Sequence, residues 1–149
     1  MAETIKIEGL RELQRNLAKL SGPEHKRATK QALIAGARVI KGAVKAKAAQ
    51  QPTLADAPYR IDDRIISPGE IARQVVVTKA WDANDGSSGV AVGVKSTKAN
   101  GYIGRIASFN EFGTTLMSPQ PFMRPGFESS KEAALGAIVA ALRDGLDKP

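Results

Sequence analysis

Few residues in this chain could make or break bonds. Asp62, Asp63 and Glu70 are the nearest approach to an acidic cluster, and a divalent ion held there would suit a metal-dependent nuclease. Such a site needs several oxygen ligands converging on one point. Here Arg60 and Arg64 flank the aspartates, and the stretch reads as a solvated, self-neutralising surface. The chain has one histidine, His25, and no cysteine. Disulfides, thiolate metal sites and any Ser-His-Asp triad not built on His25 are therefore excluded. His25 sits beside Lys26 and Arg27, where a surface role fits better than general-base work. Gly101-Tyr102-Ile103-Gly104 is too short for a phosphate-binding loop and follows no suitable strand. The expectation is a protein that is not an enzyme, with no cofactor and no metal.

The charge is more informative. The formal surplus is +7 over 149 residues. Between His25 and Gln51 lie seven cations (Lys26, Arg27, Lys30, Arg38, Lys41, Lys45 and Lys47) and no acid. That segment equals the whole surplus, so the rest of the chain is neutral. At about 100° per residue, Lys26, Arg27, Lys30, Arg38, Lys41 and Lys45 fall within one arc of a helix. Ala32, Leu33, Val39, Ile40 and Ala43 fall mostly opposite. The basic arc reads either as a solvated helix face or as a surface that meets a polyanion, DNA or an acidic protein. Phosphate contact needs only Lys and Arg. Nothing suggests base reading: there is no helix-turn-helix signature, and aromatics are 5% of the chain. Any contact with nucleic acid should lack sequence preference. A free, non-specific DNA-binding protein is the alternative function on these grounds.

Stepping along the chain gives the elements that would carry these residues. Thr4 to Glu8 alternates as a short strand. Leu10, Leu13, Leu17 and Leu20 form the stripe of an amphipathic helix over about 10–20, which Ser21-Gly22-Pro23 ends. The basic helix spans about Glu24 to Gln50. Residues 51–70, with Pro52, Pro58, Pro68 and Gly69, read as a long excursion containing a short ordered piece at Tyr59 to Ile66. Ile71 to Trp81 is β-branched and reads as a strand. Turn chemistry follows at 82–88, and Gly89 to Lys95 completes a hairpin, with Val90, Val92 and Val94 on one face. A loop over about 96–104 leads to a short helix, Arg105 to Phe112, ended by a left-handed Gly113. Pro125 suits the first turn of the last helix, in which Phe127, Ala134, Leu135, Ile138, Ala141, Leu142 and Leu146 share an arc. Trp81 reads as a strand-end residue, and Phe109, Phe112, Phe122 and Phe127 as packed core.

The expected fold is α+β: a small antiparallel sheet (the N-terminal strand plus the hairpin) packed with the long basic helix, the short N-terminal helix and the C-terminal helix. One domain, 1–149, accommodates it. The longest uncharged small or apolar run is the ten residues Ala133 to Leu142, short of the roughly 20 a membrane span needs. No membrane partner is expected.

One stretch carries shape rather than reactivity: Asn110-Glu111-Phe112-Gly113-Thr114, a spacer, then Pro119-Gln120-Pro121-Phe122-Met123-Arg124-Pro125. Pro119-Gln120-Pro121 is either a rigid connector or an extended arm ready to lie against a neighbour. Glu111 and Arg124 could pair with each other or across subunits. This stretch resembles the lambdoid-phage tail-component (gene-product-ten-like) family, which includes neck and tail-completion proteins and is similar to lambda minor tail protein Z. The opening Ile5-Lys6-Ile7-Glu8-Gly9-Leu10-Arg11-Glu12-Leu13 resembles the family's start, and Tyr59 to Ile65 matches loosely. Gly126 stands where a small residue, often alanine, is expected.

The resemblance implies a structural virion protein of a long-tailed phage or prophage. It would act as a homo-oligomeric ring at the head-tail junction or head-proximal tail end, beside neck, head-closure and tail proteins, with DNA passing through. Assembly would take place in the host cytoplasm. Its shape and interface residues would be Glu111, Phe112, Gly113, Thr114, Pro119, Pro121, Phe122, Arg124 and Pro125. The basic helix could line the lumen or grip an acidic neighbour.

Overall fold

The computed structural model describes residues 23–50, 59–61, 64–66, 69–96 and 101–146. The expected strand at 4–8, the leucine helix at 10–20, most of the 51–70 excursion and Asp62-Asp63 lie outside the described residues.

Helix α1 (Pro23–Ala49) forms because alanine is its commonest residue and Pro23 needs no N–H partner at a helix start. It is followed by a two-stranded antiparallel ribbon, β1 (Tyr59–Ile61) with β2 (Arg64–Ile66), in which Arg60 faces Ile65. This is the ordered piece expected in the excursion.

The expected single strand Ile71 to Trp81 breaks into three parts. Glu70–Gln74 is a short helix, α2, entered from Gly69 at φ +74°. β3 (Val75–Val77) follows, and β4 (Trp81–Asp82) comes after a gap. Burial explains the change: Ile71, Ala72 and Val75 are all in the core, and a strand would turn Ala72 away from Ile71 and Val75, whereas a helical turn puts the three on one side.

The hairpin itself is as expected. β3 pairs antiparallel with β6 (Val92–Val94), and β4 with β5 (Ser88–Gly89). Between the two ladders Thr78 takes both roles. Its N–H donates to the Ala91 carbonyl, and its hydroxyl accepts from the Ala91 N–H. The tip closes with Gly86 at φ +83° and Asp85 accepting from the Ser87 N–H and hydroxyl. Those two hydrogen bonds hold the Asp85 pKa below the ordinary value.

Helix α3 (Gly101–Phe112) begins earlier than expected, taking in Gly101-Tyr102-Ile103-Gly104. Ile103, Ile106 and Ala107 bury one face of it. Helix α4 (Met123–Leu146) closes the chain.

The main contact is α1 against α4. It runs antiparallel, because a Cβ added at Gly145 would meet Ala28, one at Gly36 would meet Ile138, and one at Gly126 would meet Val44. Small residues in steps of four line it: Ala28, Ala32 and Gly36 on α1, and Gly126, Ser130 and Ala134 on α4, all buried, with Val44 two steps farther along α1. The Ser130 hydroxyl is satisfied within its own helix by the Gly126 carbonyl at 2.7 Å. At the far end of α1, the core gathers Val44, Ala48, Ile71, Val75, Ile103, Ile106 and Phe122.

A seam that repeats every four residues drifts around a helix of 3.6 residues per turn by about 40° per step. The buried face of α1 therefore rotates along its length. Near the N-terminus it holds Ala28 and Ala32. Farther on it holds Ala37, Val44 and Ala48, inside the arc expected to be basic. Leu33, Val39, Ile40 and Ala43, expected opposite the cations as core, are only half-buried.

The glycines of α1 and α4 give a clean contrast. A Cβ at Gly126 would sit 2.8 Å from the Val44 Cα, and nothing lies within 4 Å of one at Gly42. Gly126→Ala should destabilise the fold by about 1–3 kcal/mol through overpacking, and Gly42→Ala should stabilise it by up to about 1 kcal/mol. Urea unfolding of the two variants measures both signs.

Candidate functional site

The 110–125 stretch links the end of α3 to the start of α4. Gly113, at φ +76°, terminates α3 and donates its N–H to the Phe109 carbonyl at 2.8 Å. A side chain there would also strike the Met117 carbonyl and Pro119, each at 2.9 Å. Conformation and space both demand glycine. Thr114 and Met117 then close a tight turn by exchanging main-chain hydrogen bonds, and the Thr114 hydroxyl accepts from the Leu116 N–H at 3.2 Å. The Gln120 N–H returns to the Asn110 carbonyl at 2.7 Å. Asn110 is buried, and its amide donates to the Ile106 carbonyl.

Glu111 holds the piece together. Its Oε2 accepts from the N–H groups of Phe122 and Met123 at 2.8 and 2.9 Å, and its Oε1 from that of Arg124 at 3.0 Å. A helix start leaves four N–H positions without intrahelical partners. Here Glu111 takes three, and the fourth is Pro125, which has no N–H to satisfy. The next, Gly126, makes the first intrahelical bond, to the Phe122 carbonyl. The carboxylate also faces the positive end of the helix dipole. Glu111 and Arg124 thus do meet, through the Arg124 main chain. The Arg124 side chain is exposed, so a buried Glu111–Arg124 ion pair is not what fixes the arm.

The phenylalanines separate sharply. Phe122 is fully buried, anchored in the core at the point where Glu111 caps α4. Phe109, Phe112 and Phe127, expected in the core, are 43%, 72% and 47% exposed. The reason is that α3 buries Ile103, Ile106, Ala107 and Asn110, which leaves Phe109 and Phe112 on the outer side. Beyond them Leu116 is 97% exposed at the turn. The turn-forming residues on either side of Leu116, Thr114-Thr115 and Ser118-Pro119, are the signal in the sequence that marks it. Pro119 and Pro121 are exposed. Leu135, placed in the core arc of α4, is exposed as well, while Trp81 lies at the rim, half exposed against Gly89.

The basic residues of α1 also divide. Lys26, Arg27 and Arg38 are exposed, and Lys30, Lys41 and Lys45 are half-buried. Lys30 is tied to the hairpin: its Nζ donates to Asp82 at 2.7 Å, and Asp82 also accepts from the Ser88 hydroxyl. The Lys30 and Ser88 hydrogen bonds lower the Asp82 pKa below the ordinary carboxylate value. Among the described residues no group of three or more His, Asp or Glu could hold a metal ion, and no helix is long and apolar enough to cross a membrane. Glu70, one of the acidic candidates, starts α2.

The family described as "Bacteriophage HK97-gp10, putative tail-component" aligns with residues 11–113, 103 of the 149. The matched span ends at Gly113. No curated protein and no solved structure matches the chain.

Glu111→Ala should cost about 2–3 kcal/mol, the scale of losing charge-assisted hydrogen bonds at a helix start, and Glu111→Asp should recover little because the shorter arm cannot span both turns. Thermal melts check both. The Lys30–Asp82 tether contributes fully above the ordinary Asp pKa and is lost as pH falls through the lowered folded value. The difference in urea midpoint between the wild type and Asp82→Asn should accordingly be present at neutral pH and shrink on acidification.

Proposed function

The chain belongs to the HK97-gp10-like family of phage tail components, and from that premise we propose that it acts in neck or tail completion. In this reading, copies form a homo-oligomeric ring at the head-tail junction or head-proximal tail end. The ring joins head to tail beside neck, head-closure and tail proteins, and lets DNA pass. The protein is a structural component of the virion, and its work is done by contour.

The observation that carries the reading is the Glu111 cap. One carboxylate on three main-chain N–H groups makes the 112–123 arm a fixed shape. That shape offers Phe112 and Leu116 to solvent. Preorganised apolar anchors of this kind lose little entropy when a partner covers them, which suits a subunit that must dock accurately. Gly113, Thr114, Pro119, Pro121, Phe122 and Pro125 serve the same end by holding the arm's course.

The exposed cations Lys26, Arg27 and Arg38 are the part of α1 best suited to a polyanion, DNA in the channel or an acidic neighbour. Lys30, Lys41 and Lys45 are partly engaged in the fold. The alternative of a free DNA-binding protein rests on the same cations, and salt-dependent duplex binding by the isolated subunit would favour it.

Particles lacking the gene should accumulate as unjoined heads and tails, visible by negative-stain imaging. Fully joined, infectious particles would remove the reading. The triple variant Lys26→Glu/Arg27→Glu/Arg38→Glu should stay within about 1.5 kcal/mol of the wild-type stability, about 0.5 for each exposed substitution, but reduce plaque titre. An unchanged titre would dismiss the polyanion role.

A further inference from the structure

An apolar groove of about 400 Å³ opens between α1, α4 and the hairpin. Leu33, Ile40, Val90, Val92, Phe127 and Ile138 line it, and Arg124 stands at its edge. On the same chain, at a separate place, the Thr114–Met117 turn holds Leu116 almost entirely in solvent. We propose that Leu116 of one copy seats in the groove of the next, a head-to-tail contact that builds the ring.

The proposal rests on the ring reading above and adds its interface. Three observations support a second copy as the occupant. The knob is rigid: Gly113 can take no side chain, and the turn is closed by the Thr114 hydroxyl and by main-chain bonds to Met117. The charge matches. All 11 residues from Phe112 to Phe122 are uncharged in a chain that is 25% charged, where about three charges would be average. The groove lining, Arg124 apart, is uncharged too. A desolvating contact between them strands no ion. Finally, knob and groove are different patches of one surface. Their pairing is heterologous, and a heterologous contact repeats around an axis and closes as a ring when its rotation allows. An isologous dimer would need the same patch on both sides.

The absence of cysteine in the chain makes the test direct. Particles are prepared with Leu116→Cys, with Val90→Cys, and with both in one chain, then oxidised and run on a denaturing gel. Leu33→Cys replaces Val90→Cys as a second groove position. Leu116 is exposed and Val90 half-buried, so neither change should disturb folding. The double variants should give a ladder of covalent multimers, and the single variants none. A covalent dimer from Leu116→Cys alone would mean an isologous contact and overturn the proposal. Multimers with an amine cross-linker but no disulfide ladder would leave the ring standing and overturn this interface. The groove would then be filled by the chain's own leucine-bearing residues 10–20 or by another virion protein. No multimers with either reagent would remove the ring reading and the interface together.

Discussion

Three hydrogen bonds to the Glu111 carboxylate decide how the C-terminal half of this protein is arranged. They place the start of α4 against the end of α3 across an arm of ten residues, Phe112 to Pro121. From that point the rest follows in order. Phe122 enters the core, the Gly126 backbone comes against Val44, and α4 then runs antiparallel along α1 through Gly36 to Ala28. A helix start beside a packed core cannot leave its N–H groups bare, since each unsatisfied group costs about 1–3 kcal/mol. Glu111 and the missing N–H of Pro125 remove that cost.

The α1–α4 seam is the second constraint. Glycine, alanine and serine at four-residue steps let the two backbones approach closely, and the four-residue step turns the buried face as it advances. A helix whose buried face rotates cannot keep all its cations on one open side. Lys26, Arg27 and Arg38 remain exposed, while Lys30 is drawn into the hairpin tether with Asp82 and Lys41 and Lys45 lie partly covered. The charged surface is therefore smaller than the sequence arc, and part of it is spent on holding the hairpin to the helix.

These two constraints leave a surface with an outward apolar edge. Phe109, Phe112 and Leu116 lie on one side of the joint, and the groove beside Phe127 on another. Membership of a phage tail-component family gives such a surface a physical reason: an assembling subunit keeps apolar anchors exposed until its neighbours arrive. The acidic residues with the clearest roles here, Glu111, Asp82 and Asp85, hold shape.

The sequence by itself determined the elements whose signals are local. Ser21-Gly22-Pro23 at the start of α1 and the proline-bearing stretch after it bracketed the helix to within a residue at each end. Asp85 and Gly86 marked the hairpin tip, and Gly113 the left-handed end of α3; the resemblance to the family is matched as far as Gly113. Only the tertiary structure decided what the motif around Glu111 does. That Glu111 reaches eleven residues forward to cap α4, rather than pairing with the Arg124 side chain, depends on where two helices end in space. That Ile71 to Gln74 coils, that Phe112 faces out while Phe122 faces in, and that Val44 is buried among lysines depend on which surfaces α4 covers. Periodicity assumes that a helix buries one fixed face along its length, and a drifting seam of small residues breaks that assumption. The partner helix chooses the face, and its approach is set by contacts far apart in the chain.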